Sequence, residues 1–224
     1  MLIFQTTNVV EKINTEPIMA TLKEELEVMT RLSALGVTKE ELLDVVRAAV
    51  GGRRDATPFD PVNAGGLFAW IYGTRQLRAI FVPKEWVAGR TDNIESVFNP
   101  VAGIKIIYQS AERASDPMLD PLAISKKGVG AARAVEMGQG EFWPEMRTEE
   151  IREGSAANWY LFVYANGDDV RAELSYPMAI EGDQFCGFNE RILLVQKGEW
   201  PGIDITVDDV LIPDFDVSVT RKEQ

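Results

Sequence analysis

There is no histidine in this sequence, and among its 224 residues there is one cysteine, Cys186. The missing imidazole removes the commonest general base and the commonest metal ligand together. It excludes Ser-His-Asp and Cys-His nucleophile systems, HExxH zinc sites and two-histidine iron sites. A single cysteine excludes an internal disulfide and any cysteine cluster for zinc or iron–sulfur. Such low cysteine usage points to a reducing, cytoplasmic setting. No apolar run approaches the roughly 18 residues of a membrane span. The opening Met1-Leu2-Ile3-Phe4-Gln5 has no basic segment and no small-residue cleavage site, so no secretory leader is expected. No internal repeat or low-complexity tract is visible either.

What is present is ordinary globular material, 46% hydrophobic and 26% charged. That is enough to bury a core and excludes disorder over most of the length. The net charge of −12 is unevenly spread. Residues 1–52 carry eight acidic and five basic side chains, residues 53–133 eight and eleven, and residues 134–224 nineteen and seven. The whole imbalance therefore sits in the last part of the chain. Such a chain repels a polyanion at long range, so nucleic acid is not an expected partner. Acidic surface serves solubility, or it meets a protein partner with a basic face.

Ile18, Leu22, Leu26, Met29 and Leu32 recur at helical spacing and predict an amphipathic helix over 17–35, opened by Pro17 and closed by Gly36. Thr38-Lys39-Glu40-Glu41 is a capping box. A second helix follows with Leu42, Val45, Val46 and Ala49 on its apolar face, stopping at Gly51-Gly52. This pair resembles half of a helix-turn-helix, but Glu40, Glu41 and Asp44 on the second helix are poor equipment for a phosphate surface. The pair is better suited to packing on the rest of the fold or on a second copy, as in a homodimer. A loop over 53–63 is the one plausible boundary, between a helical hairpin at 1–52 and an α+β part at 53–224. A third helix buries Leu67, Trp70, Ile71, Thr74, Leu77 and Phe81.

After Pro83 the period changes to two. Ile94, Ser96 and Phe98, a turn at Asn99–Gly103, and Ile104, Ile106 and Tyr108 predict a hairpin. Residues 110–127 read as irregular, and a short helix is expected over about Ala131 to Met137. Trp159 to Ala165, the Asn166-Gly167 turn, and the alternation Val170, Ala172, Leu174, Tyr176 predict a second hairpin, ended by Pro177. Further strands are expected at Glu190–Gln196 and around Phe215, Val217 and Val219. Arg171, Glu173 and Ser175 form the polar side of one strand, which predicts a sheet with one wet face. Helices first and strands afterwards define an α+β fold, with N-terminal helices packed on a mainly antiparallel sheet.

Chemistry without histidine falls to carboxylates, Lys, Tyr, Arg or oxygen-ligated metal. The turn Lys126-Lys127-Gly128-Val129-Gly130-Ala131-Ala132-Arg133 offers glycines before a helix start and three cations, a place for a small anion or a nucleotide. It matches neither a Walker loop nor GxGxxG, since Arg133 takes the last position. The candidate anion-binding residues are therefore Lys126, Lys127, Gly128, Gly130 and Arg133. Asp204, Asp208, Asp209, Asp214 and Asp216 are dense enough for Ca²⁺ or Mg²⁺, but they alternate with Ile205, Val207, Phe215 and Val217 and lack the EF-hand pattern. They read as a solvated face and as candidate contacts to a basic partner, with no metal. Glu141-Phe142-Trp143-Pro144-Glu145 has the carboxylates and aromatics of a glycosidase, and equally those of a loop anchor. No Glu-x-Lys or Asp-x-Lys tripeptide supports a nuclease. Cys186, between Phe185 and Gly187, reads as a small buried or half-buried thiol whose nearest activating cation in sequence is Arg191. No cofactor is expected.

Asp168-Asp169-Val170-Arg171-Ala172-Glu173-Leu174-Ser175-Tyr176-Pro177, then Asn189-Glu190-Arg191-Ile192-Leu193-Leu194, resembles uncharacterised proteins encoded by bacteria and their mobile elements. The hairpin from Val97 to Tyr108 is similar to the same group. The resemblance runs from about residue 65 onward. It implies a phage or mobile-element origin and no catalytic residue. The expected function is accordingly a non-enzymatic, acidic interaction protein, an accessory or host-modulating factor. The alternatives are a small-anion or nucleotide-binding enzyme or sensor using the Lys126–Arg133 turn, and a helix-turn-helix regulator.

Overall fold

The computed structural model describes residues 20–138 and 153–200. Its elements run β1 (Ala20–Leu22), α1 (Glu25–Ala34), α2 (Lys39–Arg54), α3 (Ala64–Phe81), β2 (Val87–Gly89), β3 (Ser96–Asn99), β4 (Ile104–Arg113), β5 (Leu122–Ala123), α4 (Val129–Gly138), β6 (Ala157–Asn166), β7 (Asp169–Glu181) and β8 (Gln184–Val195). The fold is α+β. One sheet has the order β1-β8-β7-β6-β4-β3-β2, with β5 added to β4. It is mostly antiparallel; β1 with β8 and β4 with β6 are the parallel pairs.

Helices α1, α2 and α3 cover one face. Val28, Leu32, Leu42, Val46, Leu77 and Phe81 meet Ile106, Trp159, Leu161, Leu174 and Ile192 in one core. Burying each such side chain contributes about 1.5–3 kcal/mol. The opposite face carries a second core of Ile107, Tyr160, Phe162, Phe185, Phe188 and Val135 of α4. The strand β6 is apolar at every position from Trp159 to Val163 because it lies between the two cores: Trp159, Leu161 and Val163 belong to one, Tyr160 and Phe162 to the other.

Several boundaries differ from the sequence expectations. The first helix begins at Glu25, not near 17, and Leu22 lies in a strand against β8. Its buried face is Val28 and Leu32, while Leu26 is 78% and Met29 56% exposed. Leu22 belongs to that strand and Ile18 lies outside the described residues, so a stripe drawn through them is not the face that α1 buries. Helix α2 passes through Gly51-Gly52 to Arg54, since a glycine only weakens a helix that tertiary contacts hold. The capping box at Thr38 and Glu41 and the left-handed Gly36 (φ +75°) are present.

Strand β7 does not stop at Pro177; the β7–β8 register shifts between Tyr176 and Pro177 and the hairpin continues to Glu181. The ladder with β6 reaches no further than Ser175, so the missing proline N–H breaks no bond on that side. The face expected to be wet is dry at its centre: Glu173 and Ser175 are fully buried under the loop that carries Ser115 and Asp116. The expected strand near Phe215 and the segment Glu141–Glu150 lie outside the described residues.

Candidate functional site

The pairing of β3 with β4 ends at Val97 opposite Ile106, and β5 takes up β4 only at Ala111. Between them, among the described residues, one edge of β4 has no strand beside it, and there a cavity of about 450 Å³ opens. Ile107, Tyr108, Gln109 and Ser110 form its floor. Asn63, just before α3, and Leu67 and Trp70 of α3 wall one side, and Asn93, Ile94 and Glu95, leading into β3, another. Ile124, Ser125, Lys127 and Ala131 close the third side, with Tyr160 of β6 behind. The lining draws on both faces of the sheet because the cavity wraps its edge.

The segment after β5 is pinned at several points. The Ile124 N–H donates to the Ser110 carbonyl at 3.1 Å, and the Lys127 N–H to the Asp183 carbonyl at 2.8 Å. The Gln184 side-chain amide donates to the Ala123 carbonyl at 3.1 Å. With the backbone held at these points, Lys126 and Lys127 part. Lys126 points outward to the Asp183 carboxylate at 2.8 Å and is 85% exposed. Lys127 turns into the cavity, where its ammonium donates to Gln109 Oε1 and, at 3.2 Å, to Ser125 Oγ. It lies 5.3 Å from the centroid of the Phe185 ring.

Among the described residues no carboxylate pairs with Lys127. The cavity's own acid, Glu95, is taken by Arg78 and, at 3.5 Å, by Arg90. Burial without a counter-charge pulls the Lys127 amine down to about 8. The Tyr160 ring packs on Phe185 at 4.7 Å, its buried hydroxyl has no hydrogen-bond partner among the described residues, and burial raises its phenol. Tyr108, hydrogen-bonded to Ser110 at 3.3 Å, is pushed up to about 12 by burial. The set therefore holds one poorly solvated cation, neutral amides and hydroxyls, and two phenols that stay protonated.

Of the anion-binding candidates, only Lys127 lines the cavity. Gly128 is open to solvent. Gly130 lets α4 dock on the chain itself: a Cβ there would sit 2.9 Å from the Asp92 carbonyl oxygen. Arg133 faces the Asp92 carboxylate at 3.5 Å. Arg75 stacks over Tyr72, and Arg171 pairs with Asp169. Arg78 bridges Glu95 on the cavity wall, so of these cations Lys127 alone has its own side chain in the lining. Asp204, Asp208, Asp209, Asp214 and Asp216 lie outside the described residues.

Trp70 is not the core residue its spacing predicts; it stands 43% exposed on the cavity wall. Cys186 is exposed, not buried. Its charged neighbour is Glu181, which raises the thiol, while Arg191 is buried against Glu173. Gln109 and Tyr160 were not singled out in the sequence, although a glutamine following Ile104–Tyr108 in an apolar strand was a signal. Among the described residues no three His, Cys, Asp or Glu side chains gather as a metal site, and no helix is long and apolar enough to cross a membrane. No family model, curated protein or solved structure matches the chain.

Proposed function

We propose that this protein binds a small organic anion in the cavity at the free edge of β4, with Lys127 as its cationic contact. The observation that carries this reading is the Lys127 ammonium, held in a mostly apolar cavity by neutral acceptors alone. An anion entering there gains a charge-assisted hydrogen bond in low dielectric and relieves an uncompensated charge. The apolar wall of Leu67, Trp70, Ile94 and Ile124 suits the carbon skeleton of such a ligand.

Thermal unfolding with phosphate, nucleotides and small aromatic carboxylates tests it. A ligand at one hundred times its Kd stabilises by about 2.7 kcal/mol. The rise in melting temperature is expected in the wild type and in Lys126→Ala, and is lost in Lys127→Ala. If no compound stabilises the wild type, or if Lys127→Ala responds equally, the reading fails.

The charge distribution supports a second reading, the acidic interaction protein of a phage or mobile element. Residues 134–224 carry nineteen acidic against seven basic side chains, and a basic partner would bind them with a strong salt dependence. Replacing Asp204, Asp208, Asp209, Asp214 and Asp216 with Asn is then expected to abolish capture of such a partner at low salt.

A further inference from the structure

We infer that the Lys127 side chain is a nucleophilic amine that condenses with a small aldehyde or ketone entering the cavity. This rests on the same cavity admitting a solute, though not on that solute being charged. The amine is inside a cavity large enough for a small molecule, beside the neutral Gln109 carboxamide and the Ser125 hydroxyl. No carboxylate among the described residues locks it as an ammonium, in contrast to Lys126, Lys84, Lys39 and Lys105. The Tyr160 ring packs on the same Phe185 ring, and among the described residues its hydroxyl has no hydrogen-bond partner.

The chemistry balances within this set. The Nζ lone pair attacks the carbonyl carbon and the C=O π pair moves to oxygen. The proton lost from nitrogen replaces the one that oxygen takes, giving a carbinolamine. Loss of the hydroxyl as water, with a proton supplied at the oxygen by a phenol, leaves the protonated imine, whose N–H proton returns to the phenolate to give the neutral imine. The donor assigned to that oxygen is the Tyr160 phenol, which lines the same cavity and packs on the same Phe185 ring. The reactive form is the free amine, whose fraction at neutral pH is raised by burial. Among the described residues the ionisable groups around it are Glu95, held by Arg78 and Arg90, the phenols of Tyr108 and Tyr160, and the Lys126–Asp183 pair at the turn. Condensation is therefore expected to accelerate as pH rises toward 8, whereas anion binding weakens above it.

The test is reductive trapping on the full chain. The protein is incubated with butanal or benzaldehyde and cyanoborohydride between pH 6 and 9, and adducts are mapped by peptide mass spectrometry. Lys127 is expected to be modified at least tenfold faster than Lys126, with an inflection near pH 8, and Tyr160→Phe is expected to slow trapping at Lys127 about tenfold while leaving Lys126 unchanged. Equal labelling of the two lysines, or none at Lys127, overturns the inference without any variant having to fold. Anion stabilisation lost in Lys127→Ala with no trapping leaves the proposed function standing and this inference overturned; trapping without anion stabilisation does the reverse.

Discussion

Glu173 of β7 and Arg191 of β8 meet inside the sheet through two hydrogen bonds, Nε to Oε1 at 3.0 Å and Nη2 to Oε2 at 2.7 Å. Both are almost wholly buried. The carboxylate also accepts from Ser175 Oγ at 2.7 Å and from the Ser115 N–H at 2.6 Å, and the guanidinium donates to the Asp116 carbonyl at 2.9 Å. The pair thereby straps the loop after β4, including Ser115 at φ +53°, onto the sheet. Removing one partner leaves an uncompensated buried charge, so Arg191→Met is expected to lose about 3–5 kcal/mol. Glu173→Leu with Arg191→Met is expected to lose less than the two single losses summed. Urea unfolding of the three variants checks both statements.

The Lys127 amine lies at about 8 in the folded chain against 10.5 for an ordinary lysine. Between those values the unfolded chain holds more protons, so stability rises with pH across that window. The gain is at most about 3 kcal/mol. Lys105, lowered by burial despite Glu153, acts in the same direction. The difference in urea midpoint between pH 7.5 and 9.5 is therefore expected to be larger in the wild type than in Lys127→Met. Equal differences would mean that Lys127 is solvated in the folded protein.

Helix α3 approaches β4 at Gly73, where a Cβ would lie 2.6 Å from the Tyr108 ring. Gly73→Ala is expected to cost about 1–3 kcal/mol by overpacking and to push Tyr108, part of the cavity floor, out of place. Gly51→Ala has open space around its Cβ and sits inside α2, so it is expected to stabilise by roughly 0.5–1 kcal/mol. Opposite signs in thermal unfolding test the pair.

Exposed thiols usually alkylate readily, but Glu181 beside Cys186 disfavours the thiolate. Iodoacetamide at pH 7.5 is expected to react with Cys186 more slowly than with a free thiol, and several-fold faster in Glu181→Gln. A rate unchanged by that substitution would show that the carboxylate is not in contact.

Local signals were readable in proportion to how local their physics is. Thr38 and Glu41 bond each other within one turn, and Leu42, Val45, Val46 and Ala49 share a helix face; the hairpin is where Asn166-Gly167 predicts it but one residue later, since Asn166 pairs with Asp169 and Gly167-Asp168 make the two-residue turn. Boundaries set by distant partners were not readable. The face of α1 depends on β8 and α2, and the extension of β7 past Pro177 depends on where β6 ends. The cavity was half visible. The basic glycine turn drew attention to Lys127, yet the divergence of Lys126 from it comes from the hydrogen bonds to Asp183 and Gln184.

From the sequence alone followed the absence of imidazole chemistry, the α+β order and the placement of negative charge, because composition and short-range periodicity need no partner. Only the tertiary structure decided which lysine enters a cavity, that Glu173 and Arg191 are buried, and that Cys186 and Trp70 are not. Those are properties of how strands end beside one another, and a strand's end is set by neighbours dozens of residues away.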